Sequence, residues 1–165
     1  MRRFLAQTIP PFRKVLIVES GSRNLLEDLL PGVYKIHGEQ MRLDLITCYA
    51  GAPDAFVPEQ GLVFRTADFT GGEGRARLYR ELRANCYNVI GIVCSGEPIL
   101  FKWKWMLLYR VPAKVFVLNE NGDYFWLDRG QWRTVLHFML FRAGLTGASA
   151  AATIGRLLFF PIALA

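Results

Sequence analysis

Three clusters of polar and flexible residues each follow directly on an apolar run. Glu19-Ser20-Gly21-Ser22-Arg23 follows Val15-Leu16-Ile17-Val18, and Ser95-Gly96-Glu97-Pro98 follows Val89 to Cys94. Asn119-Glu120-Asn121-Gly122-Asp123 follows Lys114 to Leu118. Short apolar runs rich in β-branched residues read as strands buried on both faces. A polar cluster at the end of such a strand is where an open α/β sheet presents a site. Three such tips on one rim are the expected ligand surface.

The chemistry available differs from tip to tip. At Glu19–Arg23, helix-start amides with the hydroxyls of Ser20 and Ser22, the turn at Gly21 and the Arg23 cation can hold a phosphate. The plain alternative is a strand-to-helix turn capped by Ser22 or Asn24. Neither GxGxxG nor GxxxxGK[ST] is present, so the residues do not point to a dinucleotide fold or a P-loop. Ser95 and Gly96 repeat that placement, but Ser95 lacks the Gly-x-Ser-x-Gly elbow of a nucleophile. His37 and His137 fall in helical stretches away from the tips and read as structural. At the third tip, Glu120 is the candidate general base or a ligand for sugar hydroxyls, with Asn119, Asn121 and Asp123 beside it. Glu97 is the second candidate base. The plain alternative is a polar turn, because Asn121-Gly122 is turn chemistry. No Asp-x-Asp pair and no Cys/His cluster occurs, so neither a metal nor a cofactor is expected.

The elements that must position these tips follow from periodicity. Strands are expected at 14–18, 43–47, 62–65, 88–94 and 114–118. Leu25, Leu26, Leu29, Leu30 and Val33 recur at helical spacing, with Pro31-Gly32 expected to kink or end that helix and Gly38 to mark its limit. Gly71-Gly72-Glu73-Gly74 reads as a flexible break before a helix at 75–85. Pro98 suits the first turn of a helix running to Arg110, and a further helix is expected over 130–142. Tyr124-Phe125-Trp126-Leu127 is an aromatic run. The expectation is an α/β fold: a Rossmann-like, mostly parallel five-stranded sheet with helices on both faces, spanning residues 14–142. Residues 1–13 read as a leader onto the first strand or a surface-lying segment.

Residues 143–165 differ in kind. Arg156 is their one charge among Ala, Gly, Leu, Ile and Phe. Gly147, Ala151 and Gly155 form a small-residue stripe. An apolar C-terminal helix is expected, inserted in a membrane, lying on it, or packed on the domain; Arg156 and Pro161 argue against a simple span. The abrupt apolar end at Ala165 suggests that further sequence follows.

Composition agrees with a domain of ordinary size. The 165 residues are 52% hydrophobic and 21% charged, with a formal charge of +6 and a pI near 9.5. This balance favours anionic partners. Cys48, Cys86 and Cys94 are odd in number and widely spaced, which suits a reducing, cytoplasmic compartment. Phe101-Lys102-Trp103-Lys104-Trp105-Met106 alternates aromatics with lysines. It reads as an amphipathic helix over the sheet, as a membrane-interface segment, or as a base-stacking surface. Lys102 and Lys104 are expected to join the arginines of 75–83 on a solvated basic face.

Several of these segments together resemble one family. They are the first strand with its Gly-Ser turn, Asp68-Phe69-Thr70-Gly71-Gly72, Arg77-Leu78-Tyr79-Arg80-Glu81-Leu82-Arg83, Tyr87-Asn88-Val89-Ile90, Ser95-Gly96-Glu97 and Pro112-Ala113-Lys114. Over residues 14–123 their order and spacing resemble the N-terminal, acceptor-side domain of GT-B glycosyltransferases of the lipopolysaccharide heptosyltransferase type. The resemblance implies sugar transfer from a nucleotide-sugar donor to a lipid-linked acceptor at the cytoplasmic face of a membrane. The family's catalytic Asp follows the first glycine turn, where this chain has Asn24 and Leu25. The family's donor-binding C-terminal domain has no counterpart in these residues, so the chain is expected to be a fragment, a half needing a partner chain, or a relative that only binds. Two readings stand: a membrane-associated, glycosyltransferase-like domain, and a non-catalytic membrane-anchored binding or scaffold module. Nucleic acid is not an expected partner.

Overall fold

The computed structural model describes residues 9–38, 40–94, 100–119 and 124–128, with a few positions between 130 and 140. The chain divides into two compact units, Met1–Arg129 and Gly130–Ala165. In the second, Arg133, Leu136, His137 and Leu140 are helical. The apolar C-terminal helix expected over 143–165 lies outside the described residues.

The first unit is α/β. Its strands are β1 (Lys14–Glu19), β2 (Arg42–Thr47), β3 (Val63–Arg65), β4 (Val89–Cys94), β5 (Lys114–Asn119) and β6 (Tyr124–Trp126). Its helices are α1 (Arg23–His37), α2 (Gly71–Ala84) and α3 (Phe101–Arg110). The six strands lie in the order β3-β2-β1-β4-β5-β6. The first five are parallel, and β6 pairs antiparallel with β5. This order is consistent with the Rossmann-like arrangement expected, and it reverses direction between β1 and β4.

Alternation along each strand sorts side chains to two cores. Leu16 and Val18 of β1, Ile90 and Ile92 of β4 and Val115 of β5 meet Leu78, Tyr79 and Leu82 of α2 and Leu107 of α3. Val15, Ile17, Leu43, Leu45, Phe116 and Leu118 meet Leu26 and Leu30 of α1. Helices therefore cover both faces. Phe12, just before β1, packs into the α1 core, stacking on His37 at 4.2 Å and meeting Trp126 edge-on. His37 is thus held by an aromatic ring.

The sheet departs from the five strands expected at its edge, where the aromatic run forms a sixth. Phe116, Val117 and Leu118 face Trp126, Phe125 and Tyr124 in register. Asn-Gly between two β-prone runs is a hairpin signal, and four residues join β5 to β6. Of two helix boundaries, α1 runs to the expected limit at Gly38 and α2 starts earlier than expected. Pro31 lies inside α1, which continues to His37. Leu26 and Leu30 are fully buried, and Val33 and Tyr34 pack on the same core. That burial on both sides of the proline outweighs its local cost of about 3 kcal/mol. Gly38, at φ 67°, then ends the helix by donating to the Tyr34 carbonyl. The glycine run 71–74 is the first turn of α2, not a break before it. A side chain at Gly74 would press on the Phe69 backbone at 2.8 Å, so close packing of that turn requires glycine.

Polar residues inside the sheet are stitched. Asp44 on β2 is fully buried. It accepts from Arg42 Nε at 3.2 Å, the Leu62 amide at 2.8 Å and the Tyr87 hydroxyl at 2.6 Å. Lys114, 2% exposed, pairs with Asp128 at 3.7 Å and donates to the Leu127 carbonyl, fastening the chain after β6 to the start of β5.

Candidate functional site

Parallel strands point their carboxyl ends the same way, so Glu19, Cys94 and Asn119 finish at one edge of the sheet. Val18 lies opposite Ile92, and Cys94 lies opposite Asn119. The three tip-bearing strands are therefore consecutive, β1-β4-β5. Strand order reverses between β1 and β4, and open α/β sheets bind their ligands beside such reversals.

At the end of β1 the side chains close on one another. Glu19 is fully buried. Arg23, the first residue of α1, donates Nε to Glu19 Oε1 at 2.9 Å and Nη2 to Oε2 at 3.3 Å. The same guanidinium donates to the carbonyls of Ala50 and Gly51, at 3.1 and 3.2 Å, and lies over the Tyr49 ring. Tyr49 in turn donates its hydroxyl to the Gly21 carbonyl at 3.2 Å. Its hydrogen bond to Glu19 raises the Arg23 guanidinium above its ordinary value. Arg23 is thereby a strut from β1 and α1 to the loop after β2. A carboxylate of the chain itself thus takes up the cation that was expected to meet an anion. Ser22 is exposed at the N-cap and makes no side-chain cap bond.

The β1–β4 seam is closed differently. Ser20, fully buried, donates its hydroxyl to the Val93 carbonyl. Lys104, from α3, is 9% exposed. Its Nζ donates to the Ser20 carbonyl at 3.2 Å and reaches Cys94 Sγ at 4.0 Å. A positive charge therefore stands at the strand reversal.

Lys104 is the residue that sequence reasoning misplaced. It was expected on a solvated face with Lys102; Lys102 is exposed, but Lys104 is buried. Helical spacing held the signal. Leu107 and Val111 are buried, and stepping back from them by three and seven residues reaches 104. The lysine's charge obscured that inward position.

Of the other expected site residues, Asn119 ends β5 and is half-buried. Ser95, Gly96, Glu97, Glu120, Asn121 and Asp123 lie outside the described residues. Among the described residues of β1, β4 and β5, Glu19 is the one carboxylate at this edge, and its partner is Arg23. A recess of about 330 Å³, lined by Met41, Arg42, Gln60 and neighbours, lies at the amino end of β2, away from this rim. Among the described residues no group of three His, Cys, Asp or Glu side chains could hold a metal ion, and no helix is long and apolar enough to cross a membrane.

No family model, curated protein or solved structure matches this chain at a significant level.

Proposed function

We propose that this chain is a Rossmann-like, glycosyltransferase-like domain that takes a nucleotide-sugar or glycan ligand at the edge formed by β1, β4 and β5. In this reading it is membrane-associated on the cytoplasmic side and works with a donor-binding half on a partner chain or in further sequence. The observation that carries it is the strand reversal between β1 and β4, with the buried Lys104 ammonium at that point. Open α/β sheets bind ligands at such reversals, and a cation there suits a phosphorylated or hydroxyl-rich ligand. Glu120 or Glu97 serves as the base that deprotonates an acceptor hydroxyl. Glu19 does not, because it is buried against Arg23.

That last point favours a second reading. The described carboxylate at the edge and its neighbouring arginine satisfy each other, which suits a non-catalytic binding or scaffold module. One experiment separates the readings. The full chain is titrated with a panel of nucleotide sugars by ligand-observed NMR, and sugar transfer is assayed with Glu97→Ala and Glu120→Ala variants. Ligand binding with turnover lost in one variant supports the enzyme. Binding without turnover in any protein supports the module. No binding of any nucleotide sugar or glycan refutes the proposed site.

A further inference from the structure

The outer surface of α2 and α3 is not used by the edge described above. α2 carries Arg75, Arg77, Arg80 and Arg83 against Glu73 and Glu81. α3 carries Lys102, Lys104 and Arg110 with no acid. Their distribution is lopsided. Glu73, Arg77 and Glu81 are four apart and share one flank of α2. There Arg77 pairs with Glu81 at 3.9 Å and also donates to the Asp68 carbonyl. That flank neutralises itself.

The flank facing α3 does not. Tyr79 of α2 meets Trp103 of α3 at 6.0 Å, which marks the seam between the helices. Arg83 donates to the Arg110 carbonyl across it at 2.9 Å, and the Arg110 guanidinium lies over the Tyr79 ring. The Tyr79 hydroxyl, pushed up by burial, is acted on in the opposite sense by the charges of Arg75 and Arg110. Arg75, Arg83 and Arg110 are exposed here, and Arg80, three residues from both Arg77 and Arg83, is exposed between the two flanks. Beside them, Lys102, Met106 and Tyr109 of α3 form one exposed stripe at spacings of four and three. Met106 is 37% exposed and Tyr109 61%.

We infer that the α2–α3 face docks onto an anionic phospholipid surface, its cations meeting headgroups while Met106 and Tyr109 enter the interfacial layer. This rests on the membrane association proposed above and names the face responsible for it. A thioether and an aromatic ring beside a lysine suit a lipid interface, where one end of the stripe is wet and the rest is apolar. A nucleic-acid backbone would use the cations and leave Met106 idle.

The test is flotation of the full chain with vesicles of phosphatidylcholine alone, or with about a third phosphatidylglycerol. The variant is Arg75→Gln, Arg80→Gln and Lys102→Gln combined, positions chosen outside the seam bonds. The expected result is binding to the anionic vesicles that weakens as salt rises and is much weaker on phosphatidylcholine. Each neutralised cation should lower partitioning about fivefold, so the combined variant should lose on the order of 100-fold. Its thermal melt should match the parent. Equal binding to both vesicles, unchanged in the variant, overturns this face while leaving membrane association standing. Absence of any vesicle binding overturns both. Displacement from anionic vesicles by RNA or DNA at matched phosphate concentration assigns the face to nucleic acid and also overturns the inference.

Discussion

Replacing Tyr87 by Phe isolates one bond in the centre of the fold. The Tyr87 hydroxyl donates to Asp44 Oδ2 at 2.6 Å and accepts from the Asn85 side chain at 3.2 Å. Asp44 is fully buried and keeps its other oxygen on Arg42 and the Leu62 amide. Hydrogen bonds to charged groups contribute about 1.5–3 kcal/mol. Tyr87→Phe should therefore cost about 2 kcal/mol at pH 7, read from urea unfolding with an unchanged slope. Alkali supplies an independent signature. Burial, followed by the bond to Asp44, pushes the Tyr87 hydroxyl far above its ordinary value. The folded state thus keeps this proton where the unfolded chain, ionising near pH 10, releases it. Above that pH the unfolded state binds fewer protons, so stability falls as pH rises. The parent should lose about 1.4 kcal/mol at pH 11 that the variant does not, narrowing the gap between them. Tyr34 and Tyr79, also pushed up by burial, are present in both proteins and cancel in the difference. A gap below about 0.5 kcal/mol at pH 7, or one that stays constant through pH 11, would refute the reasoning.

Two further substitutions test the edge and the packing around it. Arg23→Met strands the buried Glu19 carboxylate and should destabilise by about 3 kcal/mol, more than Glu19→Gln, which leaves an acceptor for Arg23; equal or negligible losses in urea unfolding would remove the strut. Gly61→Ala should be more damaging than Gly91→Ala, because the new Cβ collides with the backbone carbonyl oxygen of Leu43, whereas at Gly91 it meets the movable ends of Phe116 and Ile17. Gly91→Ala should cost about 1–3 kcal/mol, and a smaller loss at Gly61 in thermal unfolding would invert that ranking.

Much of the sheet was legible in the chain because its parallel strands are continuous apolar runs, which carry their own signature. Val15–Val18, Val89–Cys94 and Val115–Leu118 each sit within a residue or so of the observed strands. The strand at Tyr124–Trp126 was not read, because three aromatic residues after a polar tip look equally like a patch until they are paired with Phe116, Val117 and Leu118. The limit of α1 at Gly38 was legible, but its passage through Pro31 was left open between a kink and an end. Local preference opposed the helix there, and only burial of Leu30 and its neighbours on the sheet overrides it.

The candidate edge was legible in its location and not in its wiring. Sequence placed Glu19, Ser20 and Arg23 together because they are neighbours in the chain. That Arg23 is consumed by Glu19 and by two carbonyls about thirty residues on is a tertiary fact. The buried charges make the same point. Asp44, Lys104 and Lys114 each sit at a strand or inward helix position that an apolar residue would fill by pattern. Each is paired or hydrogen-bonded to a part of the chain distant in sequence. Asp44 reaches Tyr87, Lys104 reaches Ser20, and Lys114 reaches Asp128. Two of these bonds cross between elements that the sheet's own ladder does not join. A charge at an inward-facing position was thus the sequence signal for a cross-link, and reading charge as solvent exposure is what concealed Lys104 at the strand reversal.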